Sequence, residues 1–351
     1  NGSVNPSGWL KFTPQLLEHG HRLLASTVGF LVLGMFLWQW GRAKLSWITA
    51  IQLIIVFIVV VGGVHAADAR YKSIQDKTTS VAESFGLGWT GLWILCALLW
   101  IGVMAWLIRG LMGARWPLLL KLVASALVVV VLQAILGGLR VLEVSDPFGI
   151  AHGCLGQLFY CLLIVVALVS SGWWERSEML LPAADHRRLV TLATTLFGVV
   201  VCQLMFGAII RHTERAGLAA TDVLTTGGHI IPPTQPFTVF SIFMHKGWGM
   251  IVFALAWITA WTSGRVLRGQ GWVSVLPKLL VLLPVVQVTL GVYVLLSKRG
   301  FWITNFHVLN GLFILGASFL LMVVARRGRP RSGLIAGEGV QNTSSPLKAG
   351  V

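Results

Sequence analysis

The sequence predicts an all-α fold, a polytopic transmembrane helical bundle of about nine spans, and three observations predict it. Hydrophobic residues make up 56% of the 351-residue chain, with a mean hydropathy of +0.81. Charged residues make up only 11%, against about 25% in soluble domains. Apolar runs of roughly 20 residues recur along the chain, the length of a helical span and not of a barrel strand. The formal charge of +15 does not point to nucleic acid, because Lys and Arg cluster in short segments between alternate runs. That distribution describes topology.

The runs fall at about 17–40, 46–66, 89–109, 116–141, 152–173, 189–211, 245–264, 274–297 and 307–326. Basic groups separate them in order: Arg42 and Lys44 after the first, then Arg109, Arg115 and Lys121, then Arg176, Arg187 and Arg188. Arg265, Arg268 and Lys278 follow, and the last run ends in Arg326, Arg327, Arg329 and Arg331, with Lys348 beyond. These segments hold 16 of the 27 basic residues and four of the 12 acids, so one side carries +12 and the other +3. The positive-inside rule then places the N-terminus of the chain outside and the C-terminus in the cytoplasm, in an inner or cytoplasmic membrane. The polar, Gly- and Ser-rich stretch 328–351 reads as a disordered cytoplasmic tail. Sixteen Trp suit anchoring at the membrane interface. Cys96, Cys154, Cys161 and Cys202 fall inside runs without metal spacing and read as small apolar residues.

Of nine histidines, His186, His212 and His229 fall in loops and His65 ends a run. His21, His152, His245 and His307 are different: each stands at the outer start of a run that passes from outside to inside. One such histidine would be an ordinary interfacial residue. Four at one depth on four helices form two potential pairs of metal ligands. Zinc would want four ligands at one point, often with Cys or carboxylate. Haem iron takes axial histidines from facing helices and buries an apolar macrocycle between them. Arg22, Arg140, Arg211 and Lys246, at the same outer level, would serve as propionate partners or supports. Haem is the better fit.

A repeat points the same way. Three helices running outward carry Gln-x-x-x-Gly: Gln133 to Gly137, Gln203 to Gly207 and Gln287 to Gly291. Each is followed, after an outer loop, by a histidine helix holding His152, His245 or His307. At this spacing both residues share a helix face, Gly permitting close approach and Gln offering hydrogen bonds. Recurrence in register signals a duplicated unit. The His21 helix has no such predecessor and the chain opens on Asn1, so a preceding helix or signal peptide is expected. The runs at 46–66 and 89–109 read as an inserted pair.

Glu18-x-x-His21-Arg22, QAILGGLRV ahead of His152, RHTERAGLA in the second outer loop, and His245 and His307 together resemble the haem A synthase family over roughly 1–45 and 116–327. The resemblance implies two pseudo-symmetric four-helix halves, here 1–173 (with 46–109 inserted) and 189–327. It implies haem b held by His245 and His307, and a substrate haem O held by His21 and His152. The reaction implied oxidises the C8 methyl of haem O to a formyl group by successive hydroxylations, giving haem A for terminal oxidases. Haem O synthase (a farnesyltransferase), an electron donor and membrane lipid are the implied partners, with a homo-oligomer left open.

Glu18 lies one turn before His21 on the same helix face and is the only carboxylate so placed among the four histidine motifs. It is the candidate catalytic residue, stabilising positive charge at the methyl carbon or handling protons; a salt bridge to Arg22 is its structural alternative. His19 points to another face. The outer-loop cysteine pair of some family members is not present in 1–16, so no thiol step is expected there. A non-catalytic dihaem b-type electron-transfer protein or a haem transporter remains the competing class.

Overall fold

The computed structural model describes residues 14–43, 108–143, 146–176, 179–212, 222–235 and 237–330, with isolated helical positions between 47 and 106. The helices are α1 (Pro14–Arg42), α2 (Leu118–Glu143), α3 (Asp146–Val169), the one-turn α4 (Gly172–Arg176), α5 (Ala183–His212), α6 (Phe237–Val266), α7 (Leu276–Leu296) and α8 (Phe301–Arg327). A 3-10 turn at Gly271–Val275 leads into α7. Seven helices among the described residues are long and apolar enough to cross a membrane, in agreement with an all-α polytopic fold. The expected runs at 46–66 and 89–109, and the tail from Arg331 onward, lie for the most part outside the described residues.

The histidine helices begin earlier than their runs suggest. His21 is seven residues beyond Pro14, His152 six beyond Asp146, His245 eight beyond Phe237 and His307 six beyond Phe301. Each histidine therefore stands about 9–12 Å into its helix and not at the mouth. The reason lies in the preceding residues. Asp146 and Pro147 suit a first helical turn, and the apolar stretches before His245 and His307 extend their helices outward.

The chain divides into two compact units, Asn1–Glu175 and Arg176–Val351. In the first, α2 packs between α1 and α3. Its core is a stripe of Val32, Phe36 and Trp40, one turn apart on α1, set against Leu120, Val123, Ala124 and Leu127 of α2 and Val166 of α3. Trp40 is 2% exposed, so this tryptophan packs inside and does not anchor at the interface. Its ring lies 5.2 Å from Trp106 and 5.8 Å from Trp116, centroid to centroid.

In the second unit α5, α6, α7 and α8 form a closed ring, each helix packed against its two neighbours. α8 is the spine: 56% of its most apolar window is buried, against 11% for the helix containing α7. Small residues make this close packing possible, with Gly311, Gly316, Ala317, Ser318 and Ala325 all buried. Below the bundle β1 (Leu180–Leu181) pairs in parallel with β2 (Arg329–Pro330), and the Arg329 amide donates to the Met179 carbonyl at 2.8 Å. This clasp joins the segment before α5 to the end of α8.

Packing of this kind predicts unequal sensitivity. Leu321→Ala on α8, at a fully buried position, should lower stability by about 2–5 kcal/mol. Leu282→Ala on the exposed face of α7 should change it by about 0.5 kcal/mol or less. Unfolding in mixed detergent micelles measures both.

Candidate histidine-pair site

Two pairs of histidines meet, each inside one unit. The rings of His21 on α1 and His152 on α3 have centroids 6.2 Å apart, with planes inclined at 65°. Those of His245 on α6 and His307 on α8 are 6.3 Å apart and inclined at 59°. In the second unit these are diagonal helices of the ring, so the imidazoles reach across the bundle interior. In the first, α1 and α3 stand on either side of α2.

Each of the last three histidines is seated by the helix before it. An added Cβ at Gly137 would lie 3.2 Å from His152 Cε1, at Gly207 3.3 Å from His245 Cε1, and at Gly291 3.2 Å from His307 Cε1. Glycine gives the ring room, because a Cβ at any of these positions would make it yield by a few tenths of an ångström. The glutamine one turn earlier completes the seat. Gln133 Nε2 donates to the His152 carbonyl at 2.9 Å, and Gln203 Nε2 donates to the His245 carbonyl at 3.0 Å. Gln203 Nε2 also lies 3.1 Å from His245 Nδ1, and Gln287 Nε2 lies 3.1 Å from His307 Nε2. His152 Nδ1 lies 3.2 Å from the Gln133 carbonyl. The tautomer that donates there leaves Nε2 with the lone pair a metal would take.

The glutamine amides in turn rest on glycines that the sequence reading passed over. Added Cβ atoms at Gly156, Gly249 and Gly311 would lie 3.2, 3.2 and 3.4 Å from the amide nitrogens of Gln133, Gln203 and Gln287. His-x-x-x-Gly therefore recurs three times opposite Gln-x-x-x-Gly, a signal present in the chain at 152–156, 245–249 and 307–311. The His21 helix has Ala25 at that place.

The cationic candidates divide. Arg140 and Arg211 occupy the last turns of α2 and α5, and Arg22 lies exposed beside His21. Lys246 does something else. Its Nζ donates to the carbonyls of Asp222, at 2.5 Å, and Thr225, at 2.8 Å. It supports a tight hairpin in which Thr226 and His229 exchange backbone hydrogen bonds around Gly227 and Gly228, with φ of 58° and 79°. Glu18 lies in α1, but its side chain is outside the described residues. An open apolar groove of about 410 Å³, lined by Phe30, Met35, Trp38, Leu119, Val123 and Val166 among others, lies away from the histidines and presents no ionisable side chain.

A family model described as cytochrome oxidase assembly protein (COX15-CtaA) matches residues 88–319. The chain belongs to this family. It is an integral membrane protein of cytochrome oxidase assembly and haem A synthesis. Comparison with curated proteins and with solved structures gives no match. The matched span contains His152, His245, His307 and all three Gln–Gly pairs, and it runs across 89–109, the second helix of the pair read as inserted. Glu18, His21 and Arg22 precede it.

Lys246→Met should free the hairpin while leaving the His245 ring in its glycine seat. Hydrogen–deuterium exchange at the Thr226 and His229 amides should then speed up, with α6 protection beyond Gly249 unchanged.

Proposed function

We propose that the chain is a haem A synthase, a membrane oxidoreductase that oxidises the C8 methyl of haem O to a formyl group through successive hydroxylations. The observation that carries this reading is the equal spacing of the two histidine pairs, 6.2 and 6.3 Å. Each facing pair of imidazoles, contributed by two different helices, would hold a haem between those helices. Among the described residues no group of three or more His, Cys, Asp and Glu gathers. His21 with His152, and His245 with His307, are the residues that would hold a haem iron. The residues present fit a haem.

In this reading His245 and His307 hold a resident haem b, which when bound supplies one-electron transfer. Their place inside a closed helical ring suits a group that stays. His21 and His152 hold the substrate haem O, with His21 exposed on α1. Glu18, one turn before His21 on the same face, provides the carboxylate that takes up a proton or balances positive charge at the methyl carbon. Arg22, Arg140 and Arg211 are the candidate propionate partners. Haem O would come from its synthase and electrons from a separate donor, and the distribution of Lys and Arg supports an outer-side site in a cytoplasmic membrane.

Co-expression with a source of haem O should yield haem A or its hydroxylated precursor in extracted pigment. Glu18→Gln should abolish that product and spare the haem b of His245 and His307. Two retained b haems with no modified product would sink the enzyme reading, and undiminished haem A from Glu18→Gln would remove that carboxylate from the mechanism.

A further inference from the structure

The two units differ one turn below their histidines. In the second unit the residue three beyond each histidine carries a donor aimed at the preceding helix. Trp248 Nε1 donates to the Val199 carbonyl at 2.8 Å, and Asn310 Nδ2 donates to the Leu283 carbonyl at 2.9 Å. Val199 and Leu283 each stand four residues before the glutamine of the repeat, Gln203 or Gln287. The same two positions, on two different pairs of helices, are thus joined by two chemically unlike side chains. Each histidine helix is pinned to its partner twice, at the level of the ring and again one turn deeper.

Asn310 does more. Its amide also donates to Gln287 Oε1 at 2.7 Å, which turns the Gln287 amide nitrogen towards His307. Asn310 is 7% exposed, so this link is shielded and orients the glutamine without competition. In the first unit the corresponding residue after His152 is Leu155, which has no donor, opposite Val129. After His21 it is Leu24, 69% exposed. All three seated histidine helices are pinned at the ring, and the second, deeper pin is found in the second unit and not at Leu155.

We propose that Trp248 and Asn310 are positioning residues that lock the His245–His307 pair as a retentive haem site, and that Leu155, which lacks the deeper tether, lets the first unit release its haem more readily. The inference rests on the haem reading above and adds the structural basis for retention in one unit and exchange in the other. The tethers act through the helices and not on the iron. Losing Trp248 removes one interhelical hydrogen bond and losing Asn310 removes two, each worth about threefold to tenfold in an equilibrium within a membrane.

The test uses the purified, haem-loaded full chain and follows haem transfer to excess apomyoglobin, with the low-spin electron paramagnetic resonance signal recorded in parallel. Asn310→Leu and Trp248→Phe should each speed haem loss from the second unit by about threefold or more. Asn310→Leu should also shift the low-spin signal, because the imidazole of His307 loses its oriented glutamine. Leu315→Ala, a buried control on the same helix, should lower thermal stability and leave that signal unmoved. Leu155→Asn, which installs the missing donor, should slow haem release from the first unit and covers the case in which the loss-of-tether variants fail to fold. Wild-type loss rates and an unshifted signal in Asn310→Leu and Trp248→Phe would overturn the proposal, as would unchanged release from Leu155→Asn. Full retention of haem b by His245→Ala would show instead that the haem reading itself had failed, and the proposal would fall with it.

Discussion

Three imidazole edges lie against three glycines, each with a glutamine amide beside it, and the packing of the helices follows from that contact. Lipid offers helices little hydrophobic reason to associate, so close approach of small residues and interhelical hydrogen bonds must hold them. Gly137, Gly207 and Gly291 let successive helices approach at the histidine level. Gln133 and Gln203 then satisfy histidine backbone carbonyls across the gap, while Gln287 addresses the His307 ring. Gly156, Gly249 and Gly311 give those amides room. The result is an antiparallel helix pair pinned at its histidine level, three times over.

How these pairs are combined separates the two units. In the second, two pairs close into a ring, and its diagonal brings His245 to His307. A closed ring restrains each histidine from both sides. In the first unit, α1 buries its inward part, from Val32 to Trp40, and leaves Leu23 and Leu24 beside His21 exposed. Trp40 is 19 residues from His21, about 28 Å along the helix. The tight core of α1 and its histidine therefore stand at opposite ends of the described helix.

Part of this was legible in the residues. Apolar runs gave the spans, and their polarity put His21, His152, His245 and His307 on helices running the same way. The Gln-x-x-x-Gly recurrence marked the faces on which those histidines are seated. Other features were not legible. Nothing in Lys246 says that its ammonium closes a hairpin, because its partners are backbone carbonyls 21 and 24 residues away. Trp40 resembled the interfacial tryptophans because composition does not distinguish a ring at a boundary from one inside a core. The helix starts were misjudged because apolar residues outside the periodic core still extend a helix in lipid.

By itself the sequence determined the membrane class, the order of the described spans, and a repeated seat of Gln, Gly and His. These are local or periodic properties, set by hydrophobic length and by residues within one helical turn of each other. The tertiary structure alone decided which histidine faces which, and that Trp248 and Asn310 add a second tether in one unit where Leu155 adds none in the other. Those contacts join residues on different helices, and no periodicity within one helix specifies which neighbour its side chains will meet.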